Sequence, residues 1–133
     1  MDSIRKLLGA DEVRTQDGLK LLWSEGRVTI EYRNGRSQEV LYRLIGDQYT
    51  FRSTVATARV VAEVGRLRIA REILLRNRVA ECVGFRLTRR DRLEAVIQQR
   101  ASTLHRDELI YYVCQLAREA DRLEYLLTGR NTH

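Results

Sequence analysis

The chain has 133 residues, no proline and two cysteines, with 44% hydrophobic and 32% charged residues and a formal net charge of +6. That is the length of one domain, 1–133, with enough apolar content to form a core without a disulfide scaffold or a structural metal. The opening MDSIRKLLGADEV holds acidic residues and only a short apolar patch, which argues against a secretory signal or a membrane span and predicts a cytoplasmic protein with no membrane partner.

Asp2 or Ser3 is placed to cap a short helix through Ile4, Leu7 and Leu8 that stops near Gly9. From Gly18 the period changes to two. Leu19, Leu21 and Trp23 mark a first strand, and Val28, Ile30 and Tyr32 alternate with Thr29, Glu31 and Arg33 in a second. Asn34-Gly35 predicts a tight hairpin turn with two positive-φ residues. Val40, Tyr42 and Leu44 then return, Gly46-Asp47 turns the chain again, and Tyr49, Phe51, Ser53 and Val55 continue the alternation. The result is an antiparallel meander of three to four strands with one polar face.

Residues 57–65 fit either a strand or a helix, since Val60, Val61 and Val64 suit both. From Arg66 to Asn77 a helix is predicted, with Leu67, Ala70, Ile73 and Leu74 on its buried face and Arg68, Glu72 and Arg76 in a ladder on another. Ile69 points away from that face, which makes it a possible dimer contact. Val79, Val83, Phe85 and Leu87 predict a strand, Thr88–Asp91 a hairpin loop, and Leu93, Ala95 and Ile97 the returning strand. Residues 104–129 form a long last helix, because Leu109, Val113, Leu116, Ala120, Leu123 and Leu127 recur at alternating steps of four and three. Ile110, Cys114 and Ala117 widen its apolar arc beyond a coiled-coil seam, so the helix is expected to lie on a sheet. His105 and Glu108 stand three apart, as in a capping box, and Gly129 ends the helix. The fold class is α+β: helix, meander, helix, two-stranded hairpin, long C-terminal helix.

The basic charge is concentrated. Nine arginines lie between Arg66 and Arg92 against Glu72, Glu81 and Asp91, and outside this segment the chain is neutral. Arg66, Arg68, Arg71, Arg76, Arg78, Arg89, Arg90 and Arg92 therefore form a possible basic patch for nucleic acid or an acidic partner. Two features weigh against nucleic acid. The basic residues are 22 arginines and two lysines, a skew that a GC-rich genome produces by itself, and no aromatics interleave with them as a base-stacking platform requires. Chemistry is thin: Ser102, His105 and Asp107 are the residue types of a hydrolytic triad, but adjacency along a helix start does not supply the geometry. Asp121 and Glu124 have the spacing of an ordinary surface helix, and His133 is terminal. Cys82 and Cys114 sit in apolar stretches as free thiols. No catalytic residue, cofactor site or metal site is predicted, and the chain is not expected to be an enzyme.

Residues 74–129 carry a resemblance. Leu74 to Asn77 close a helix with a leucine-arginine-asparagine type sequence, a hairpin follows from Val83 to Ile97, and Ala117, Ala120, Asp121, Leu123 and Glu124 form an A-x-x-A-D-x-L-E-like run. This half resembles the YbjN and type III secretion chaperone-like superfamily, and residues 1–65 match it in element order. The resemblance implies a non-enzymatic, ATP-independent, chaperone-like homodimer that binds a partner polypeptide, an extended segment held in apolar grooves. Secretion chaperones of this fold are commonly acidic, whereas this chain is basic.

Overall fold

The computed structural model describes residues 3–79 and 82–129. Asp2, Ala80, Glu81 and His133 lie outside the described residues. The elements are α1 (Ser3–Leu8), β1 (Glu12–Arg14), β2 (Lys20–Ser24), β3 (Arg27–Glu31), β4 (Ser37–Ile45), β5 (Gln48–Ala56), α2 (Ala58–Val64), α3 (Arg66–Val79), β6 (Gly84–Leu87), β7 (Leu93–Arg100), a 3-10 turn at Ala101–Thr103 and α4 (Arg106–Thr128). The strands form one seven-stranded sheet in the order β1-β2-β3-β4-β5-β7-β6, every neighbouring pair antiparallel. After five strands of meander the chain leaves the sheet through α2 and α3, reaches the far edge as β6 and returns as β7 into the place beside β5.

One face of the sheet carries the core. Leu21, Val28, Ile30, Val40, Tyr49, Phe51, Val55, Phe85, Leu93, Ala95 and Ile97 are buried on it. Alternation puts Glu12, Lys20, Arg27, Glu39, Arg52, Glu94 and Arg86 on the other face. α4 lies over β3, β4, β5 and β7, and α1 and α2 pack against α4. All six residues of its predicted apolar series are buried, with Cys114 and Ala117 beside them. The backbone N–H of His105 donates to Glu108 Oε1 at 3.2 Å at the helix start. Gly129 closes the other end in the left-handed region, its N–H donating to Tyr125 O at 2.7 Å.

Several expectations change. The meander has five strands, because the three-residue β1 precedes the predicted first one. Residues 58–64 are helical, with the Thr57 side chain accepting from Val60 N. Gly65, at a φ of 101°, separates this helix from α3. The β3–β4 loop is not the two-residue turn that Asn34-Gly35 predicts. Gly35 alone has positive φ there; its N–H donates to Tyr32 O at 3.1 Å, while Arg36 N–H donates to Asn34 Oδ1 at 3.0 Å. This is the longer hairpin loop, a turn followed by one left-handed glycine.

α3 is turned from its predicted orientation. Ile69 is fully buried and Ile73 half-buried, whereas Leu67 and Leu74 are 76% and 69% exposed and Ala70 is exposed as well. The helix packs on β6 and α2 through one stripe, Ile69, Glu72, Ile73 and Arg76, whose spacing of three, four and seven is as regular as the predicted one. Glu72 and Arg76 pair with each other at 3.9 Å along that stripe. Ile69 is thus a core residue of its own chain and not a dimer contact.

Three stability outcomes follow from these placements. Leu116→Ala, at a fully buried position, should cost about 2–5 kcal/mol in denaturant titration. Ile69→Asp should unfold or severely destabilise the chain, while Leu67→Ser should change stability by less than about 0.5 kcal/mol.

Candidate functional site

The eight arginines of the predicted basic patch are distributed over different surfaces. Arg66 reaches across to the β6–β7 loop and pairs with Asp91 at 2.8 Å. Arg68 donates from Nη2 to Leu126 O of α4 at 3.2 Å, and Arg76 is drawn to Glu72. Arg92 faces the open side of the sheet and donates to Thr54 Oγ1 at 3.4 Å. Arg71, Arg78, Arg89 and Arg90 are exposed, and no described carboxylate lies within ion-pair distance of them. Arg71 and Arg78 share the outer stripe of α3 with Leu67 and Leu74, at spacings of four, three and four.

The open face of the sheet is laced with opposite charges on neighbouring strands. Lys20 pairs with Glu12 at 3.0 Å and Arg27 with Glu39 at 3.0 Å. The hydrogen bond from Lys20 holds the Glu12 carboxyl below its ordinary range. Glu94 is only 3% exposed although its side chain lies on this face, because Arg52 (3.2 Å) and Arg86 (3.4 Å) take its two oxygens and cover it. Beside it β4 and β5 separate: their register runs from Leu41↔Arg52 to Ile45↔Gln48, and beyond Leu41 side chains bridge the strands. Gln38 Nε2 donates to Ser53 Oγ at 2.7 Å and to Thr54 O at 3.1 Å, and Ser53 Oγ donates to Glu39 O at 2.7 Å. The separation leaves a hollow of about 350 Å³ lined by Ser37, Glu39, Arg52, Thr54, Arg92 and Glu94 among others.

A second depression, about 430 Å³, lies beside α1 and is lined by Ser3, Glu25, Gly26, Tyr42, Arg43, Leu44 and Tyr49. Its floor is aromatic. Trp23 Nε1 donates to the Tyr42 hydroxyl at 2.6 Å, and the Tyr42 and Tyr49 rings meet edge to face at 6.2 Å. Leu44 and Ile45, at the tip of the β4–β5 hairpin, are 46% and 64% exposed. The depression is shallow, with Tyr42, Leu44 and Tyr49 as its apolar lining and Ser3, Glu25 and Arg43 as its polar one.

The sheet edges are less available to a partner strand than its open architecture implies. β1 is three residues long. On β6, Asn77 of α3 occupies the outward backbone groups of Phe85: its Oδ1 accepts from Phe85 N–H at 2.8 Å and its Nδ2 donates to Phe85 O at 3.1 Å. The carboxamide thus makes the pair of hydrogen bonds that an added strand would make. Asn77 enters the resemblance by its residue type alone, and its place eight positions before Phe85 in the sequence does not announce this role.

No hydrogen bond among the described residues links Ser102, His105 and Asp107 to one another. Ser102 Oγ donates to Asp47 Oδ2 at 2.7 Å and its backbone N–H to Asp47 Oδ1, His105 stands at the start of α4, and the Asp107 side chain is 99% exposed. Asp121 pairs with Arg36, and Glu124, read from sequence as a surface residue, is buried at 2% exposure. Burial pushes the Cys114 thiol up to about 11 and the Tyr32 phenol up to about 12, away from nucleophilic forms at neutral pH. Among the described residues no group of acidic, histidine or cysteine side chains is arranged to hold a metal, and no helix is long and apolar enough to cross a membrane.

No protein-family model matches the sequence, and no curated protein matches it significantly. The similarity is one of fold. The chain superposes on the ExsC–ExsE complex with a TM-score of 0.56 at 16% identity, covering 96% of this chain and 97% of that one. On the Yersinia pestis type III secretion chaperone SycH, solved with a stable fragment of YscM2, the TM-score is 0.51 at 12% identity, over 91% and 93% of the two chains. On YbjN from E. coli it is 0.51 at 14% identity, over 93% and 84%. The fold resemblance read from residues 74–129 therefore extends over nearly the whole chain.

Asn77→Ala should lower stability by about 1–2 kcal/mol, because it withdraws both partners from Phe85. Asn77→Asp, which keeps the acceptor but sets a carboxylate oxygen against Phe85 O, should also be less stable than wild type in the same denaturant titration.

Proposed function

We propose that this chain is a non-enzymatic, chaperone-like protein that binds a partner polypeptide without ATP or a cofactor, as a homodimer in the cytoplasm. The observation that carries the reading is the fold shared with two proteins solved with polypeptide partners, ExsC with ExsE and SycH with YscM2. The groove lined by Tyr42, Leu44 and Tyr49 supports it, since it supplies apolar surface to an extended segment, while the guarded β6 edge turns the reading away from strand addition.

The alternative, a nucleic-acid or acidic-partner binder through Arg66 to Arg92, is favoured by the four arginines that no described carboxylate neutralises. Nucleic acid remains the weaker form of it, because the residues interleaved with Arg71 and Arg78 are leucines and not aromatics.

Co-purification from the native cell at moderate salt, with mass spectrometry for protein and nucleic acid, tests the reading. A discrete polypeptide is expected, and its retention should fall with Leu44→Glu; recovery of nucleic acid alone would overturn it. Light scattering across micromolar concentrations should give about twice the 15.6 kDa chain mass. A monomer throughout would remove the homodimer from the proposal.

A further inference from the structure

The hollow on the open face of the sheet lies at an irregularity of β5. Against β7, Thr54 faces Glu94 and Ala56 faces Leu93, so Val55 is an extra residue and the strand bulges there. A bulge bends its own strand, and on the other side of β5 the ladder to β4 ends at Leu41↔Arg52. The space of about 350 Å³ between the strands is at the lower end of the roughly 300–1,000 Å³ typical of small-molecule sites. Most of the charges around it are already engaged: Arg52 with Glu94, and Glu39 with Arg27. Arg92 is the lining cation that has no described carboxylate within ion-pair distance. Its Nη2 donates to Thr54 Oγ1 at 3.4 Å, and the rest of its fork has no described acceptor.

Gln38, which also lines the hollow, is only 3% exposed. Its Nε2 donates to Ser53 Oγ at 2.7 Å and to Thr54 O at 3.1 Å. A carbonyl oxygen only accepts, so the contact with Thr54 O fixes which end of the carboxamide is which. Oε1 is then buried with no hydrogen-bond partner among the described residues, an uncommon condition for an acceptor inside a folded chain. The hollow therefore joins an uncommitted guanidinium to a buried oxygen in want of a donor, with the hydroxyls of Ser37, Thr54 and Thr57 around them.

We infer that this hollow binds a small free carboxylic acid carrying a hydroxyl or amino group beside its carboxylate. The site is independent of polypeptide binding and goes beyond that reading. The carboxylate takes the fork of Arg92 and the Thr54 hydroxyl, the charge-assisted contact that a planar guanidinium favours. The neighbouring donor enters between β4 and β5 toward Gln38 Oε1, the one group there that only a donor satisfies. Leu41 supplies an apolar wall for the carbon skeleton. A bare dicarboxylate brings the charge without the donor, and a neutral amide brings donors without the charge. A site built around both demands rejects each of them.

The probes are L-malate and L-aspartate, compared with succinate, which lacks the donor, and with L-malamide, which keeps the hydroxyl and lacks the charge. Titration calorimetry on the full chain measures affinity, and amide NMR shifts locate the site. At least one of the two acids should bind at millimolar concentration or below, with shifts at Ser37, Glu39, Thr54 and Arg92. Succinate should bind roughly tenfold more weakly or worse, and L-malamide should give no heat. Arg92→Gln should weaken binding by roughly tenfold or more while the melting temperature stays within a few degrees, because Arg92 is exposed. Thr54→Val should weaken it as well, and Arg89→Gln, an exposed arginine outside the hollow, should leave it unchanged. Absence of heat and of shifts with both acids overturns the inference. So does binding of succinate as tight as that of the acids, or an affinity that Arg92→Gln leaves intact. A blocked Gly-Asp-Gly peptide that binds where the free acids do not also overturns it, since a polypeptide side chain would then be the occupant.

Discussion

The packing of α4 on the sheet is the contact from which the rest of the fold takes its arrangement. A meander of five strands buries nothing by itself, because each strand has only hydrogen-bonded neighbours beside it and water on both faces. The helix supplies the missing layer. Leu109, Val113, Leu116, Ala120, Leu123 and Leu127, widened by Cys114 and Ala117, cover strands from β3 to β7, so one face of one element joins residues from both halves of the chain. α1 and α2 then find their places against α4 itself. The connection through α2 and α3 is what lets β7 enter beside β5, and it places α3 at the β6 end of the sheet, with Leu67, Ala70, Arg71, Leu74 and Arg78 exposed on its outer side.

That topology separates two kinds of arginine. Three of those on the sheet pair with acids on neighbouring strands: Arg27 with Glu39, and Arg52 and Arg86 with Glu94, which is shielded so well that it is buried on a nominally solvated face. Such pairs fix the register of the open face more than they add to stability, since each has an exposed member. The arginines on the outside of α3 and on the β6–β7 loop have no such opposite strand. Their charge is directed outward, and a net charge of +6 conceals this division between compensated and uncompensated sites.

How much of this the sequence discloses depends on the length and uniqueness of each pattern. α4 was legible because six apolar residues keep one phase over five turns and no competing face exists. β1 was not, since three residues with Val13 alone buried carry no period. In α3 two apolar sets coexist, Leu67-Ala70-Ile73-Leu74 and Ile69-Ile73, and the choice between them is made by β6 and α2, which local sequence does not contain. Asn34-Gly35 announced a turn at the right place, yet Asn34 uses its side chain to accept from Arg36 instead of entering the left-handed region, so the loop lengthened. The groove follows the same logic. Tyr42 and Leu44 were placed correctly on the strand, but their partial exposure arises where α4 and α1 cease to cover the sheet, and no periodicity reports where a neighbour ends.

The carboxamide of Asn77 bears on how this protein behaves when it is crowded. An unprotected outermost strand is a template on which identical molecules stack edge to edge, and growth of that kind is hard to reverse once begun. Here the middle of β6 presents a side chain that has already satisfied the backbone, leaving an incoming copy no matching pair of hydrogen bonds at Phe85. The chain can therefore keep apolar side chains on its surface while denying this edge of its sheet a ready means to propagate from one molecule to the next.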